Sequence, residues 1–274
     1  MSITIAAAQT RVSQNISENG NTIRKMIHKA AERGARLIVF CEGALSGYSK
    51  AQIKSPADWQ TFDWQKIDKE IKAIAAACGE NRIFAAVGCA RQVSDEKHPH
   101  NSLVVISDEG EIVGAYAKRF LSHSEVSDWY TPGNRPLVFA VDGFRFGCAI
   151  CIEAVFPEVF MEYEQLGVDA VLFGSYEISR QFQIALQAHA CLNCIWIAAA
   201  PPALESNNSS AFIVSPEGEF VTQPNSKVRN VLAVGKLDRK DPIYDVALNK
   251  ARPWRAKARI GKIYKDKCNA PNDY

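Results

Sequence analysis

The 274-residue chain predicts an α/β fold. Three observations carry that expectation. Short apolar runs alternate with segments whose apolar residues recur every three or four positions, the signatures of strand and helix. The first succession of strand, helix and strand fits within about 40 residues, the length of a β-α-β unit. Most of the strand-like runs are apolar on consecutive residues, as expected where both faces of a sheet are covered. The count is about eleven strands and four or five helices, with no composition break to mark a linker. One domain over residues 1–274 is the simplest reading.

The elements follow in order. Ile3 to Gln9 is a buried strand, and Ser17 is placed to cap the next segment. Ile23, Met26, Ile27, Ala30 and Ala31 share one helical face, closed by Arg33-Gly34. Leu37 to Cys41 is a strand, and Gly43 and Gly47 mark the loop after it. Ser55 to Asp63 is polar and aromatic, and reads as surface structure. Ile67, Ile71, Ile74, Ala75 and Cys78 form a second helical face ending at Gly79, followed by a strand from Phe84 to Cys89. Asp95 to His100 reads as a polar turn. Leu103 to Ile106 and Ile112 to Ala117 flank a glycine-containing turn, and Val138 to Val141 and Phe144 to Ile150 flank Asp142-Gly143; both read as hairpins. Phe120 to Gly133 between them is loop-like. Pro157 to Leu166 is a helix with proline in its first turn. Val168 to Phe173 is a strand, Gln181 to Asn193 a helix, and Ile195 to Ala200, Ala211 to Val214 and Val231 to Leu237 complete the strands. From about residue 238 to 274 the chain reads as a polar C-terminal extension.

Composition narrows the partners. Apolar residues are 47% and charged residues 23%, with a net charge of +2. Such a balance provides no field for nucleic acid or an anionic membrane. The basic residues Arg252, Arg255, Lys257, Arg259, Lys262, Lys265 and Lys267 read as a solvated run. The opening MSITIAAAQT has neither a basic n-region nor a long apolar core, and no run is long enough to span a bilayer. A cytoplasmic location is therefore expected, with the eight cysteines mainly reduced.

Three ionisable residues share one context. Glu42 follows LIVFC, Lys118 follows IVGAYA and Cys151 follows FGCAI, so each stands at the carboxyl end of an apolar run. Function in α/β sheets gathers beyond those ends. A thiol needs a base or a cationic neighbour to become a nucleophile. A carboxylate in a dry pocket can accept its proton. A lysine and the backbone amide of Ile152 can hold a developing oxyanion. Other readings stand beside this one. Cys148 with Cys151 and Cys191 with Cys194 are C-x-x-C pairs open to a zinc or redox role, although both lie in apolar sequence and their separation exceeds that of a zinc ribbon. A Cys151–His123 pair is a second rival. Cys41, Cys78, Cys89, Cys148, Cys191 and Cys194 read most simply as small buried residues.

The three blocks together resemble the carbon–nitrogen hydrolase (nitrilase) superfamily over nearly the whole chain. Glu42 in F-C-E-G-A-L-S-G-Y resembles the family's base, Lys118 in Y-A-K-R-F-L its lysine, and Cys151 in C-I-E-A-V-F-P-E its nucleophile. Thr131-Pro132-Gly133, Ser210 and Ser215-Pro216-Glu217-Gly218 are supporting matches. The resemblance implies a four-layer α-β-β-α sandwich of two mixed sheets covered by helices. It implies a homodimer or higher homo-oligomer, a small amide or nitrile as substrate, and no metal or organic cofactor. It also implies a second glutamate after the lysine, for which Glu125 is the match. Ile152-Glu153 and Val155 depart from the amidase-like pattern, and the helix motif is reduced to His189-Ala190-Cys191-Leu192-Asn193. A nitrilase or N-carbamoyl hydrolase on the same triad, acyl transfer, and a non-catalytic binding or redox-sensing protein are the alternatives. Tyr48, Trp129 and Tyr176, on loops beside these residues, are the expected substrate contacts.

Overall fold

The computed structural model describes residues 1–92, 98–203, 210–223 and 230–265. Among them, twelve strands form two six-stranded mixed sheets. The elements run β1 (Ser2–Gln9), α1 (Ile16–Glu32), β2 (Leu37–Val39), α2 (Trp64–Asn81), β3 (Phe84–Arg91), β4 (His100–Ile106), β5 (Ile112–Ala117) and α3 (His123–Asp128). They continue as β6 (Val138–Val141), β7 (Phe144–Ile150), α4 (Pro157–Gln165), β8 (Ala170–Gly174), α5 (Arg180–Asn193), β9 (Trp196–Ala200), β10 (Phe212–Val214), β11 (Phe220–Thr222), β12 (Val231–Asp238), α6 (Arg252–Arg259) and α7 (Lys262–Lys265). One sheet is ordered β12-β1-β2-β3-β4-β5, and the other β11-β10-β9-β8-β7-β6. Each has three parallel strands at its centre, β1-β2-β3 and β7-β8-β9, with antiparallel strands outside them.

The alternation of side chains along each strand builds the layers. In β7, Phe144, Phe146, Cys148 and Ile150 point into the core between the sheets, where Ile3, Ile5 and Ala7 of β1 meet them. Ala149 points the other way, toward α4 and α5. Ala6 and Ala8 of β1 face α1 and α2. Both faces of the central strands are thus covered, which explains their unbroken apolar sequence. The four-layer sandwich is the expected one.

Several elements differ from expectation. Asn15, rather than Ser17, caps α1: its side-chain oxygen accepts from the N–H groups of Ser17 and Glu18 at 3.0 and 3.3 Å. Helix α2 runs past Gly79 and closes on Arg82 in a left-handed conformation. A Cβ on Gly79 would lie 3.3 Å from the Glu109 carbonyl oxygen, so that glycine serves close packing rather than closure. The 55–63 stretch holds a 3-10 helix, Pro56–Gln60, whose Trp59 is buried among Ile53, Ala90, Trp129 and Tyr130. The 120–133 stretch contains α3, capped by the Ser122/Glu125 capping box. β11 is only three residues long and half-buried throughout, so no apolar run announces it. Half of the turn expected at 95–100 lies outside the described residues, and His100 already belongs to β4.

The basic run near the C-terminus is not simply solvated. Arg255 Nη1 donates to the carbonyls of Cys191 and Leu192 at 2.9 and 3.1 Å, and Arg252 Nη2 to that of Val168 at 2.7 Å. Arg259 pairs with Glu164. Arg255 thus satisfies orphan carbonyls at the negative end of α5. No helix among the described residues is long and apolar enough to cross a membrane.

Candidate active site

Glu42, Lys118 and Cys151 converge just beyond β2, β5 and β7. Glu42 stands three positions past the end of β2, and close backbone packing holds it there. A Cβ on Gly88 would lie 1.9 Å from the Cys41 carbonyl oxygen. Gly88→Ala is therefore expected to cost about 1–3 kcal/mol through overpacking and to lower activity by displacing Glu42. Chemical denaturation and a steady-state assay check both. Lys118 is fixed from both sides: its N–H donates to the Asn101 carbonyl at 2.8 Å, and its carbonyl accepts from Gly133 N–H at 2.9 Å. A Cβ on Gly133 would approach the Ala117 carbonyl oxygen to 2.3 Å. This is the physical reason for glycine in the Thr131-Pro132-Gly133 block.

Lys118 is fully buried between two carboxylates. Its Nζ lies 3.1 Å from Glu42 Oε1 and 2.8 and 2.9 Å from Glu125 Oε1 and Oε2. Burial opposes its charge, but Glu42, Cys151 and Glu125 outweigh that and hold the ammonium above the ordinary lysine range. Glu125 is also buried, yet the Lys118 ammonium and the Ser122 N–H hold its carboxyl below the usual range. Glu42 Oε1 also accepts from Asn101 Nδ2 at 2.7 Å, and Oε2 from the Tyr176 N–H at 3.0 Å. Every partner of Glu42 is a donor, as suits an acceptor-only carboxylate.

Cys151 opens a 3-10 helix, Cys151–Val155, and sits in the left-handed region at φ 52°. A residue other than glycine there stores on the order of 1 kcal/mol or more. The 3-10 turn separates the end of β7 from α4, so the strand does not feed that helix directly. Burial pushes the thiol up to about 12, with Glu42 adding to the effect and Lys118 and a hydrogen bond with Ser175 opposing it. The resting group at neutral pH is thus the thiol, one proton-transfer step short of a nucleophile. Iodoacetamide should alkylate Cys151 at pH 7 more slowly than a solvent-exposed thiol. The rate should keep rising beyond pH 10, because the thiolate fraction grows until pH passes the raised pKa. Rates read from pH 6 to 11 check this.

The thiol opens on a cavity of about 330 Å³ lined by Tyr48, Cys151, Tyr176, Glu177, Ser179 and Phe182. The Tyr48 and Tyr176 rings stack with centroids 4.2 Å apart. Gln52 ties them, accepting from the Tyr48 N–H at 3.0 Å and donating to the Tyr176 hydroxyl at 2.9 Å. Trp129, by contrast, packs in the apolar cluster around Trp59 and Tyr130 and does not line this cavity. Ile152 follows Cys151 in the 3-10 turn, half-buried. His123 is exposed on α3, and no histidine is among the groups acting on the thiol. Cys148 lies in the core between the sheets, and Cys194 ends α5 against Arg255. Among the described residues, no group of three or more His, Cys, Asp or Glu is arranged to hold a metal.

Asn101, Ser175 and Glu177 were not singled out from the sequence. Ser175 offered a signal, since it follows the end of β8 just as Glu42, Lys118 and Cys151 follow their apolar runs. Asn101 offered a weaker one, a polar residue at the head of an apolar run.

A family model described as carbon-nitrogen hydrolase matches residues 4–241. Nitrilase homolog 2 of Dictyostelium discoideum is 26% identical over 220 residues, covering 76% of this chain and 65% of that protein. A formamidase of Helicobacter acinonychis is 27% identical over 164 residues, covering 58% of this chain and 47% of that protein. The chain thus spans about half to two thirds of these relatives' own lengths. An amidase of the nitrilase superfamily from Nesterenkonia, solved as a Cys-to-Ala mutant, superposes with a TM-score of 0.76 at 21% identity, covering 92% of this chain and 97% of that one. A Glu-to-Gln mutant of the same amidase carries the acetamide moiety of fluoroacetamide covalently at its active-site cysteine.

Proposed function

The chain belongs to the carbon–nitrogen hydrolase family, and from that premise we propose that it is a cysteine-dependent amidase acting on small amides through a thioester acyl-enzyme. The observation that carries this reading is the buried Lys118 ammonium held between Glu42 and Glu125, with the Cys151 thiol within its electrostatic reach. Glu42 takes the thiol proton as Cys151 Sγ attacks the amide carbon. Lys118 Nζ and the Ile152 N–H receive the negative charge that forms on the oxygen. Collapse of that adduct breaks the carbon–nitrogen bond, and the nitrogen leaves with the proton from Glu42. Glu42 then takes a proton from water, whose oxygen attacks the thioester, and the acid leaves as the thiol is restored. Glu125 keeps the ammonium in place and charged. A relative described as a formamidase, and the adduct on the Nesterenkonia cysteine, support an amide over a nitrile.

The cavity suits a short acyl group flanked by Tyr48 and Tyr176. The reading includes one catalytic domain with an extension from about residue 238, a cytoplasmic setting and a homodimer. Exposed Ile184, Leu192 and Trp254 on α5 and α6 favour the last; sedimentation equilibrium tests it. Ammonia release from short aliphatic amides, ω-amides, carbamoyl compounds and nitriles tests the substrate class. Turnover confined to nitriles, or absent throughout, would count against the amidase.

A further inference from the structure

The proposed reaction leaves one buried carboxylate at the site without a task. Glu153 is fully buried two residues after Cys151, and forms no ion pair among the described residues. A carboxylate in that situation is costly unless hydrogen bonds replace its water. Four donors do so. Oε1 accepts from the Tyr116 hydroxyl at 2.8 Å, the Arg119 N–H at 2.8 Å and the Phe120 N–H at 3.2 Å. Oε2 accepts from the Ile150 N–H at 2.7 Å.

The positions of these donors carry the inference. Arg119 N–H directly follows Lys118, and Ile150 N–H directly precedes Cys151. Lys118 hangs from β5, the edge strand of one sheet, whereas Cys151 hangs from β7 in the other. β5 pairs with β4, and β7 with β6 and β8, so no ladder joins them. One side chain grips the backbone beside each residue and bridges the two sheets. Its own backbone takes part in the same corner, because Phe156 N–H donates to the Glu153 carbonyl at 3.1 Å to close the 3-10 turn in which Cys151 is held left-handed.

We propose that Glu153 is a positioning residue whose carboxylate clamps the Lys118 and Cys151 backbones across the two sheets and so sets the separation of ammonium and thiol. The proposal rests on the catalytic assignment of those two residues. Glu153 itself neither touches substrate nor moves a proton. The largest influences on the thiol besides burial come from Glu42, Lys118, Ser175 and Glu125.

Glu153→Gln tests the clamp. With its oxygen toward the three donors, the glutamine turns its NH₂ against the Ile150 N–H, so the break falls on the nucleophile's side. The expected result is a fall in kcat of about 10²-fold, the scale of a misplacement near 1 Å. KM and the pH profile should stay unchanged, and kcat is counted per folded site by Cys151 alkylation. Tyr116→Phe, which leaves all three backbone ties, should keep kcat within about threefold of the parent, because the hydrogen bond it removes from the carboxylate costs stability without releasing the backbone beside Lys118 or Cys151. If Glu153→Gln does not fold, Glu153→Asp, charged but too short to reach both strands, should show the same kcat loss in milder form. Parental kcat in a folded Glu153→Gln protein would overturn the clamp, as would a loss that only tracks the unfolded fraction or a displaced pH profile. Cys151→Ala in the same assay separates the two claims. If that variant is dead while Glu153→Gln is fully active, only the clamp fails. A parent inactive across the amide panel, or activity persisting without Cys151, overturns both.

Discussion

Cys151→Ala should lose turnover of every amide that the parent hydrolyses, by on the order of 10⁵-fold or more, as removal of a catalytic nucleophile does. The fold should survive. Alanine keeps the Cβ at the left-handed corner, so no new backbone clash arises. The thiol hydrogen bond with Ser175 is a small loss beside the surrounding packing. Melting within a few degrees of the parent, together with retained binding of an amide inhibitor, would place the whole effect on chemistry. The same substitution at Cys148 has a different expectation. That side chain fills the core between the sheets, so Cys148→Ala should cost stability with little change in rate.

Lys118→Met should injure both function and fold. Lys118 is fully buried with Glu42, and Glu125 is nearly so. Removing the ammonium leaves two buried carboxylates close together without a cation, a change that costs about 3–5 kcal/mol. For a chain of this size that lowers the melting temperature by about 10 °C. The loss should ease at low pH. Glu125 has its folded pKa depressed by Lys118, so the parent's ion-pair stabilisation is present above the ordinary carboxylate range. It fades as pH falls through the depressed value, and the gap between variant and parent should shrink in the same window. Rates should fall by at least about 10²–10³-fold, the scale for one oxyanion donor. Lys118→Met combined with Glu125→Gln removes a charge of each sign and should regain stability but not activity. Thermal melts of the four proteins in this cycle, with matched rates, separate the electrostatic role from the catalytic one.

Glu42, Lys118 and Cys151, the residues proposed to be catalytic, were legible because each ends an apolar run, and strand ends are where an α/β sheet exposes polar side chains. Glu125 came only through family resemblance, since a six-residue helix leaves no periodicity to read. The links between these residues were not legible. Asn101 touches both Glu42 and Glu125 only because β4 delivers it there, and Glu153 draws three of its donors from residues 33 to 37 positions away. Trp129 looked like a pocket residue because it is aromatic and near Glu125 in sequence. Its ring instead fills the apolar cluster of Ile53, Trp59, Ala90 and Tyr130. Arg252, Arg255 and Arg259 looked solvated for a similar reason, because charge pattern alone cannot show that α6 lies against the end of α5.

The most direct test is the intact mass of the protein during turnover of a short amide, with the modified peptide located by digestion. A gain equal to the acyl group, on Cys151 and matched by a burst of ammonia, is the predicted result. Glu42→Gln, which leaves water unactivated, should make any adduct that forms longer-lived. Steady amide hydrolysis with no adduct on Cys151 under any quench, and undiminished in Cys151→Ala, would contradict the account.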